Sequence, residues 1–559
     1  GELFNPISIH FRPGVSLSDV KAQIETVDGK IIRVVKKKEM EEESAISSYS
    51  LYQDDMMIKI NATHNSYPYR IRYEYKQTFS QFLSVAHWSP YMKMGVPTRY
   101  AKLYVRIPAS YHINLYEQMA GHNEAVLPDG SRQFIWKMEA LKEFEGEVFA
   151  PNSKDITPYV HMVPKRFYFG EPGDLSTWQS FGNWESRLNK GRQELPLNEQ
   201  ARIDRLVQGA GNDLEKIRIL YHNLQDHTRY INVSIDIGGL QTYPASYVCT
   251  NGYGDCKALS NYMVAQLNYL EIPAYYTSVY AGEKPPRLLR EFPSQQFNHV
   301  IVMVPLKGDT LWLECTNSIN PFGYISSSIH NRPALILTQE SSKLVNIPAL
   351  QPEQVTENRS FTMNYSPYST PEADLKAVLK GEDFEFARYT NKDIEEREKE
   401  RYIAYYFDIP ETDLISWSME DLHRDSTSVS FTASYRAGRY FSKMGNMVVV
   451  SPPRIEIPDM ENPKERKWPV KVYTPWHRID SLKLNIPRGT NGGSIPVDTV
   501  IHSSVGTYAR EVSLLNGTLF ITKEFTIPIQ QIALPDYEIF YDFIQTVEKL
   551  ENEKILFKN

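Results

Sequence analysis

The sequence NGYGDCKALS, residues 251–260, decides how the centre of this chain folds. Gly254 lets the backbone turn sharply, and Asp255 directly after it is a residue type that caps helix N-termini. The apolar spacing that follows predicts a helix from about Asp255 to Leu270. Cys256 then falls in the first turn of this helix.

The predicted position of Cys256, in the first turn of a helix, would make its thiol reactive. The first turn of a helix presents unpaired backbone N–H groups and the positive end of the helix dipole, and both stabilise a thiolate. The alternative is a small buried residue that packs the helix start, which is the common role of a lone cysteine. The choice depends on which residues the fold brings next to the thiol.

Two later segments, FNHVIV at 297–302 and LWLECT at 311–316, supply candidate partners. Each is predicted to be a strand, and the turn between them makes an antiparallel hairpin. A turn at residues 306–307 would place His299 directly opposite Glu314. A turn one residue later would place Glu314 diagonally across on the same face, which a long side chain can still span. Either register lets a carboxylate orient the imidazole, as a cysteine and histidine pair requires.

Two other polar residues near the hairpin are weaker candidates for orienting the imidazole. Asp309 lies in the predicted turn, too close to the hairpin tip to reach the start of the preceding strand. Asn317 is a weaker substitute, although an amide can also orient an imidazole. Glu314 is therefore the predicted partner of His299.

The remaining cysteines and two nearby histidines are given no catalytic role. Cys315 follows Glu314 on a strand and should point to the opposite face, into the core. Cys249 lies in the loop before the nucleophile, where packing is the favoured interpretation. His222 and His227 lie on a preceding helix without carboxylate partners at useful spacing.

Three motifs together resemble the transglutaminase core found in a family of bacterial proteins, in which this core lies between two β domains of unknown function. Gly-Asp-Cys-Lys at 254–257, Phe-Asn-His-Val at 297–300 and Arg-Tyr at 229–230 match the family pattern. One position departs from it, because the family has Trp-x-Asp-Pro-Thr where this chain has WLECT at 312–316. The acid at that position is thus Glu314, one methylene group longer.

The resemblance implies a papain-like core in which Cys256 is the nucleophile and His299 is the general base. With Glu314 they form a predicted Cys-His-Glu triad. The oxyanion of the reaction needs hydrogen-bond donors, and the backbone N–H of Cys256 is the first candidate. The side chains of Tyr230 and Gln241 are candidates for the second donor.

This constellation predicts a cysteine peptidase or amidase, whose thiol attacks an amide carbonyl and forms a thioester. The expected substrate is a protein or peptide. Two alternatives stay open: a protein-crosslinking acyl transferase, and a catalytically silent scaffold that binds a glycan or a peptide. We expect no cofactor and no metal, because the cysteines lack zinc-ligand spacing and no EF-hand loop is present.

Outside this centre the sequence changes character twice, which predicts three domains. The predicted domains are an N-terminal antiparallel, sandwich-like β domain at 1–165, a transglutaminase-like α+β core at 166–345 and a C-terminal β-rich domain at 346–559. Further predictions are helices at 175–188 and 213–227, a loop at 238–254 and one amphipathic stretch at 393–407.

Composition excludes some partners. The chain has 559 residues, with 61 basic and 68 acidic side chains and a net charge of −7, which argues against a nucleic-acid partner. Its longest apolar stretches are strand-sized, so we expect no transmembrane span. The N-terminal residues lack the charged and apolar segments of a secretion signal, so we expect that such a signal is either absent or was removed. The resemblance implies an extracytoplasmic location, in the periplasm or cell envelope. The sequence does not indicate an oligomeric state.

Overall fold

The computed structural model describes residues 5–11, 14–44, 50–53, 56–234, 239–420, 423–486 and 493–558. Within these ranges an N-terminal antiparallel β region is followed by a central α+β region and then by a C-terminal β-rich region. This order confirms the predicted fold class. Gly238, where the predicted loop starts, lies outside the described residues.

The N-terminal region consists mostly of small antiparallel sheets. Its strand Ser50–Gln53 pairs instead in parallel with Asn232–Ser234 of the central region. Two separate apolar clusters stabilise it, one around Ile24 and Ile60 and the other around Phe134 and Trp136. The elements are β1 (Ile7–Phe11), β2 (Val15–Glu25), β3 (Ile31–Val35), β4 (Met40–Ser44), β5 (Ser50–Gln53), β6 (Met56–Ile60), β7 (Arg70–Phe79), β8 (Ala86–Trp88), β9 (Thr98–Ile107), β10 (Ile113–Gln118), β11 (His122–Val126), β12 (Arg132–Leu141), α1 (Ser153–Ile156), β13 (Tyr159–Pro164), β14 (Arg166–Phe169) and β15 (Glu171–Asp174).

The central region packs helices against one five-stranded antiparallel sheet, whose strand order is β21-β20-β19-β22-β23. Its largest apolar cluster lies between this sheet and helix α6. The elements are α2 (Trp178–Leu188), α3 (Leu197–Val207), α4 (Asp213–His227), β16 (Arg229–Tyr230), β17 (Asn232–Ser234), α5 (Ala245–Asn251), β18 (Tyr253–Gly254), α6 (Cys256–Tyr269), β19 (Tyr275–Val279), β20 (His299–Leu306), β21 (Asp309–Leu313), β22 (Arg332–Ile336) and β23 (Lys343–Ile347).

The hairpin of β20 and β21 adopts the second of the two predicted registers. Leu306 pairs with Asp309, so the two-residue turn is Lys307-Gly308. Gly308 has a φ of +83°, a conformation that favours glycine in such tight turns. The register leaves Glu314, just after β21, diagonal to His299 at the start of β20.

The C-terminal region is an eight-stranded mixed sheet covered on one side by a long helix. Only the β24 and β31 pair within this sheet is parallel. The elements are β24 (Thr356–Asn364), β25 (Glu372–Lys380), α7 (Glu382–Asp393), α8 (Glu396–Tyr406), β26 (Leu414–Glu420), β27 (Ser428–Arg436), β28 (Phe441–Met444), β29 (Met447–Val450), β30 (Val470–Val472), β31 (Trp476–Asn485), β32 (Thr499–Ser503), β33 (Gly506–Leu515), β34 (Thr518–Ile527), β35 (Gln530–Ile532), α9 (Tyr537–Glu551) and β36 (Ile555–Lys558).

Three local predictions need correction. The predicted loop at 238–254 contains helix α5, which Pro244 starts and Gly252 ends with a φ of +68°. The stretch at 393–407 is the second of two helices, because α7 precedes it. Helices α3 and α9 were not predicted at all. Helix α5 has only seven residues, and a helix of that length depends on packing against its neighbours, which propensity alone does not reveal. The buried residues of α9 recur at helical spacing, a pattern that the sequence analysis missed.

Candidate active site

Cys256 is the first residue of helix α6, as the sequence predicts. The Asp255 side chain caps the helix by accepting a hydrogen bond from the Ala258 N–H at 2.9 Å. Gly254 is needed for close packing, since a Cβ at that position would lie 2.7 Å from the Ala258 Cβ. Cys256 itself is only 9% exposed. Its thiol therefore lies at the helix N-terminus and largely out of water.

His299 and Glu314 form a direct hydrogen-bonded pair. The His299 Nε2 lies 2.7 Å from the Glu314 Oε2, and both side chains are largely buried. The other carboxylate oxygen accepts hydrogen bonds from the backbone N–H of Thr316 at 3.0 Å and from its hydroxyl at 2.6 Å. The Tyr221 hydroxyl donates to the Glu314 carbonyl at 3.0 Å. These contacts fix the longer side chain in place.

The second ring nitrogen of His299, Nδ1, is available to the Cys256 thiol. Because Nε2 contacts Glu314, Nδ1 is the ring nitrogen left to hydrogen-bond with Cys256. Burial by itself would lower the pKa of His299, but the Glu314 carboxylate and the contact with Cys256 raise this pKa well above its ordinary value. Burial would likewise raise the pKa of Glu314, yet His299 and Thr316 hold it below its ordinary value. The arrangement favours the imidazolium form of His299 beside the Glu314 carboxylate.

Lys257 and Asp255 form a buried ion pair beside the nucleophile that sequence reasoning missed. The Lys257 Nζ lies 2.5 Å from the Asp255 Oδ2. Burial alone would lower the pKa of Lys257, but Asp255, Cys256 and Tyr230 together raise it. A cation is thus held close to the thiol. The signal was present in the Gly-Asp-Cys-Lys motif, in which the sequence analysis gives Lys257 no role.

Of the two candidate oxyanion donors, the structure brings Tyr230 to the thiol. Strand β16 pairs with β18, which places Tyr230 opposite Gly254. Burial and the negative charges of Cys256 and Asp255 raise the pKa of Tyr230 to about 12, so its hydroxyl keeps its proton. The Gln241 amide instead donates to the Leu188 carbonyl and accepts from Arg192, each at 2.6 Å. Both of its polar ends are therefore engaged in the scaffold.

The two weaker candidates for the partner of His299, Asp309 and Asn317, accept hydrogen bonds from backbone N–H groups close to them in the chain. Asp309 bonds to the backbone N–H of the next residue, Thr310, at 2.7 Å on the hairpin surface. Asn317 accepts from the backbone N–H groups of Ile319 and Asn320 at 2.8 and 3.0 Å. Neither side chain has a hydrogen bond to His299 among the described residues.

The remaining cysteines point elsewhere. Cys315 is buried in the central apolar cluster, and its thiol lies 3.9 Å from the Leu313 carbonyl. Cys249 lies on α5, and its thiol donates to the Glu199 carboxylate at 3.4 Å. Burial and then the negative charge of Glu199 raise the pKa of Cys249 to about 11. Neither thiol has a histidine partner in the described part of the chain.

His222 does have a carboxylate partner, contrary to the prediction. Its Nε2 lies 2.8 Å from Asp425, which the C-terminal region supplies. Next to it, Arg424 makes two hydrogen bonds to the Asp226 carboxylate, at 2.7 and 2.8 Å. The pair joins the C-terminal region to helix α4. Spacing along one helix gives no sign of such a contact between distant parts of the sequence.

The central region is similar to a known protein superfamily. Residues 200–316 match the model of the transglutaminase-like superfamily, and this range contains Cys256, His299 and Glu314. The middle of this chain is a transglutaminase-like core. Residues 4–145 and 446–557 match two domains of unknown function, DUF3857 and DUF3858, so the core is flanked on both sides as the resemblance implied. No curated protein gave a match.

One solved structure agrees with this chain at the level of the fold. A "putative protease" from Parabacteroides distasonis is 13% identical, covers 100% of this chain and 92% of its own, and superposes with a TM-score of 0.61. A "putative cysteine protease" from Cytophaga hutchinsonii is 15% identical over 48% of this chain and 84% of its own, with a TM-score of 0.20. The first likeness shows that the three-part fold around the transglutaminase-like core occurs in another protein.

In the described ranges, no three His, Cys, Asp or Glu side chains are grouped as metal ligands. None of the helices described here combines the length and the apolar character that crossing a bilayer requires.

Proposed function

We propose that the transglutaminase-like core is a cysteine peptidase or amidase with Cys256, His299 and Glu314 as its catalytic triad. One observation carries the proposal. His299 is held by Glu314 through Nε2 at 2.7 Å, and Cys256 lies close enough to the ring to raise the pKa of His299, so that Nδ1 is the nitrogen left to face the thiol. An imidazole oriented in this way can exchange protons with both a thiol and a substrate.

The first half of the reaction uses the Cys256 thiolate as nucleophile. Its sulfur attacks the carbonyl carbon of an amide, and the carbonyl electrons move onto the oxygen. The His299 imidazolium then donates its Nδ1 proton to the leaving nitrogen, so the C–N bond breaks and an amine departs. The acyl group remains on the sulfur as a thioester, and His299 is left neutral.

The second half returns the enzyme to its starting state. His299 takes a proton from a water molecule, which attacks the thioester carbon, and the carboxylic acid leaves as the thiolate is restored. Glu314 keeps the imidazole oriented and compensates its positive charge in both halves. A primary amine in place of water would give acyl transfer, so the chemistry of the triad permits the crosslinking alternative as well.

The oxyanion formed at each step needs donors close to the sulfur. The backbone N–H of Cys256 lies in the first helical turn, where no residue of the helix can accept its hydrogen bond. The Tyr230 hydroxyl is protonated at neutral pH, since its pKa is raised to about 12. We assign these two groups as the oxyanion donors.

A peptide amide is the substrate class that fits best. The likeness in fold to a protein described as a "putative protease" supports this choice. Tyr230, which is 42% exposed, marks the side from which a substrate reaches the nearly enclosed thiol. An extracytoplasmic location stays a prediction.

The proposal is tested by incubating the protein with a mixed peptide library in ¹⁸O-labelled water and analysing the products by mass spectrometry. Hydrolysis places ¹⁸O in new C-terminal carboxylates. Addition of a primary amine reveals acyl transfer as an amide adduct. Cys256→Ala should reduce either activity by at least about 1,000-fold, as loss of a nucleophile does.

Cys249→Ala is the matched control and should retain activity, because the Cys249 thiol faces a carboxylate. Turnover that survives Cys256→Ala would refute the proposed nucleophile. If no peptide is cleaved and no acyl-enzyme forms on Cys256, the scaffold alternative replaces the enzyme.

A further inference from the structure

A cavity of about 370 Å³ lies between the N-terminal region and the transglutaminase-like core. Strands β8, β10 and β13 supply one wall, and the core supplies the other through the loop at 285–289 and the starts of β20 and β22. The volume is within the range of small-molecule sites, roughly 300–1,000 Å³. The triad side chains do not line it, although Asn298 in its wall directly precedes His299.

A buried arginine without an acidic partner lines this cavity. Arg332 is only 5% exposed, and its Nε and Nη1 donate to the carbonyls of His330, Tyr280 and Gly282 at 2.8 to 2.9 Å. The described residues provide neither a carboxylate for its charge nor an acceptor for its Nη2. Burial accordingly lowers the pKa of Arg332 to about 10. A buried charge without a counter-ion is costly, which is a reason to expect an anion beside it.

Two more cations line the same cavity. Arg287 lies in the core loop, with its Nη2 3.3 Å from the Tyr116 hydroxyl, and Lys154 belongs to α1. The one acidic side chain in the lining, Asp155, already accepts from the Arg287 backbone N–H at 2.9 Å and lies 3.6 Å from Lys471. The cavity therefore has an excess of positive charge.

The lining also contains a group of aromatic side chains. The rings of His87 and His161 meet edge to face, with centroids 5.4 Å apart, and Tyr159 packs against both. Burial lowers the pKa of His161 to about 4, and it lowers that of His87 as well, so both imidazoles are neutral at neutral pH. Phe297 completes an apolar surface of a size that suits one ring or one branched side chain.

We propose that this cavity binds a carboxylate with an apolar body, the carboxylate on Arg332 and Arg287 and the body against the rings of His161 and Phe297. A planar guanidinium pairs well with a carboxylate through two parallel hydrogen bonds. The free C-terminus of a peptide with an apolar last residue has this chemistry, and so has a small aromatic acid. The inference does not depend on the proposed peptidase activity, because it concerns binding alone.

The experiment is isothermal titration calorimetry of the full chain with three probes: N-acetylphenylalanine, its C-terminal amide and 3-phenylpropionate. We expect the amide to bind at least about 10-fold more weakly than the acid. Binding of N-acetylphenylalanine alone would identify a peptide C-terminus as the ligand, whereas equal binding of 3-phenylpropionate would identify a small acid. Equal binding of acid and amide, or no binding of any probe at millimolar concentration, would overturn the proposal.

Arg287→Ala is the informative variant, since this side chain is exposed and its loss should not affect folding. It should weaken binding of the acid by about 10-fold. Arg290→Ala is the matched control on the same loop, because Arg290 bonds to Asn346 outside the cavity, and it should change nothing. Arg332→Gln should abolish binding, and a thermal unfolding curve shows whether this variant is folded. If Arg287→Ala binds the acid as the unmodified protein does, the assigned anion site is wrong.

Discussion

Two thiols that are close in the sequence have opposite electrostatic surroundings. Cys256 belongs to what we call the triad cluster, which also contains His299, Glu314 and Thr316, and Lys257 lies beside it. Cys249 belongs to the Glu199 cluster, which consists of Glu199, Cys249, Arg202, Tyr262 and Gln266. Both clusters contain a buried glutamate with several hydrogen bonds.

The difference lies in what separates the glutamate from the thiol. In the triad cluster an imidazole stands between them, so the sulfur faces a group that is positively charged when protonated. In the Glu199 cluster the thiol contacts the carboxylate itself, which keeps the sulfur protonated. Cys256 is buried and Cys249 is only partly buried, so exposure alone would favour Cys249 as the reactive thiol. The sign of the neighbouring charge decides instead which cysteine can be a nucleophile.

The largest expected effect is a difference in alkylation rate. The Cys249 thiol has a pKa of about 11, so at pH 6 it is ionised to roughly 1 part in 10⁵. A thiolate that is stabilised, as we propose for Cys256, is a weaker nucleophile, but this offsets only part of its advantage in ionised fraction. Iodoacetamide should therefore label Cys256 about 1,000-fold faster than Cys249 or Cys315, as measured by peptide mass mapping. If Cys256 reacts only after unfolding, it is a structural residue and the catalytic proposal fails.

Removing the imidazole should make the two thiols more alike. His299→Ala should slow labelling of Cys256 at pH 6 by about 100-fold, because the thiolate loses its cationic partner. The same mass mapping measures this rate. His222→Ala is the matched control, since His222 pairs with Asp425 far along the sequence and should leave the rate unchanged. Equal slowing in both variants would point to a general loss of structure.

The Glu199 cluster should matter for stability instead of reactivity. Glu199 is 3% exposed and accepts two hydrogen bonds from Arg202, at 2.7 and 2.8 Å, so Glu199→Gln should lower the free energy of unfolding by about 2 kcal/mol. Urea denaturation measures this loss. Asp204→Asn on the same helix serves as the control, because this exposed acid contacts only Tyr269 through a single hydrogen bond. A change in Cys256 labelling in Glu199→Gln would mean that the two clusters are coupled.

Glu314→Gln should lower the pKa of His299 by about 1 pH unit, because the carboxylate that stabilises the imidazolium is gone. An NMR titration of the His299 ring, assigned with His299→Ala, measures the shift, and Asp309→Asn should produce none.

In the unmodified protein the raised pKa of His299 and the lowered pKa of Glu314 make the pair fully stabilising between about pH 4.5 and 6.5. Its contribution is lost as the pH rises through the folded pKa of His299 or falls through that of Glu314.

Thr316→Val should have the smallest effect. It removes the hydroxyl that donates to the Glu314 Oε1 at 2.6 Å but keeps the backbone N–H that donates at 3.0 Å. The pKa of Glu314 should rise slightly, and that of His299 should fall by less than about 1 pH unit in the same titration. A shift as large as that of Glu314→Gln would show that Thr316 determines the orientation of the carboxylate.

The placement of the triad cluster depends mostly on local geometry. A capping Asp255 before Cys256 determines where helix α6 begins, and the two-residue turn at Lys307-Gly308 determines which face of the hairpin carries His299 and Glu314. Thr316 was visible in the same motif, yet its support of the carboxylate was missed. A hydroxyl two residues after an acid has many other roles.

The other contacts depend on distant segments. Glu199 meets Cys249 and Tyr262 only because α3, α5 and α6 pack together, and His222 meets Asp425 only because the C-terminal region contacts α4. Gln241 was a plausible oxyanion donor by position, but Leu188 and Arg192 occupy its amide. No spacing rule gives such contacts, because they depend on how whole elements pack.

The sequence by itself determined the order of the three regions, the nucleophile's helix and the residues that could form a triad, since these follow from capping, strand alternation and turn geometry over short distances. Only the tertiary structure decided which candidates meet. It joined Nε2 of His299 to Glu314, gave Cys249 a carboxylate neighbour, and left Arg332 buried at a cavity between two regions. Burial and charge act through space, so residues far apart in the chain determine the chemistry of each group.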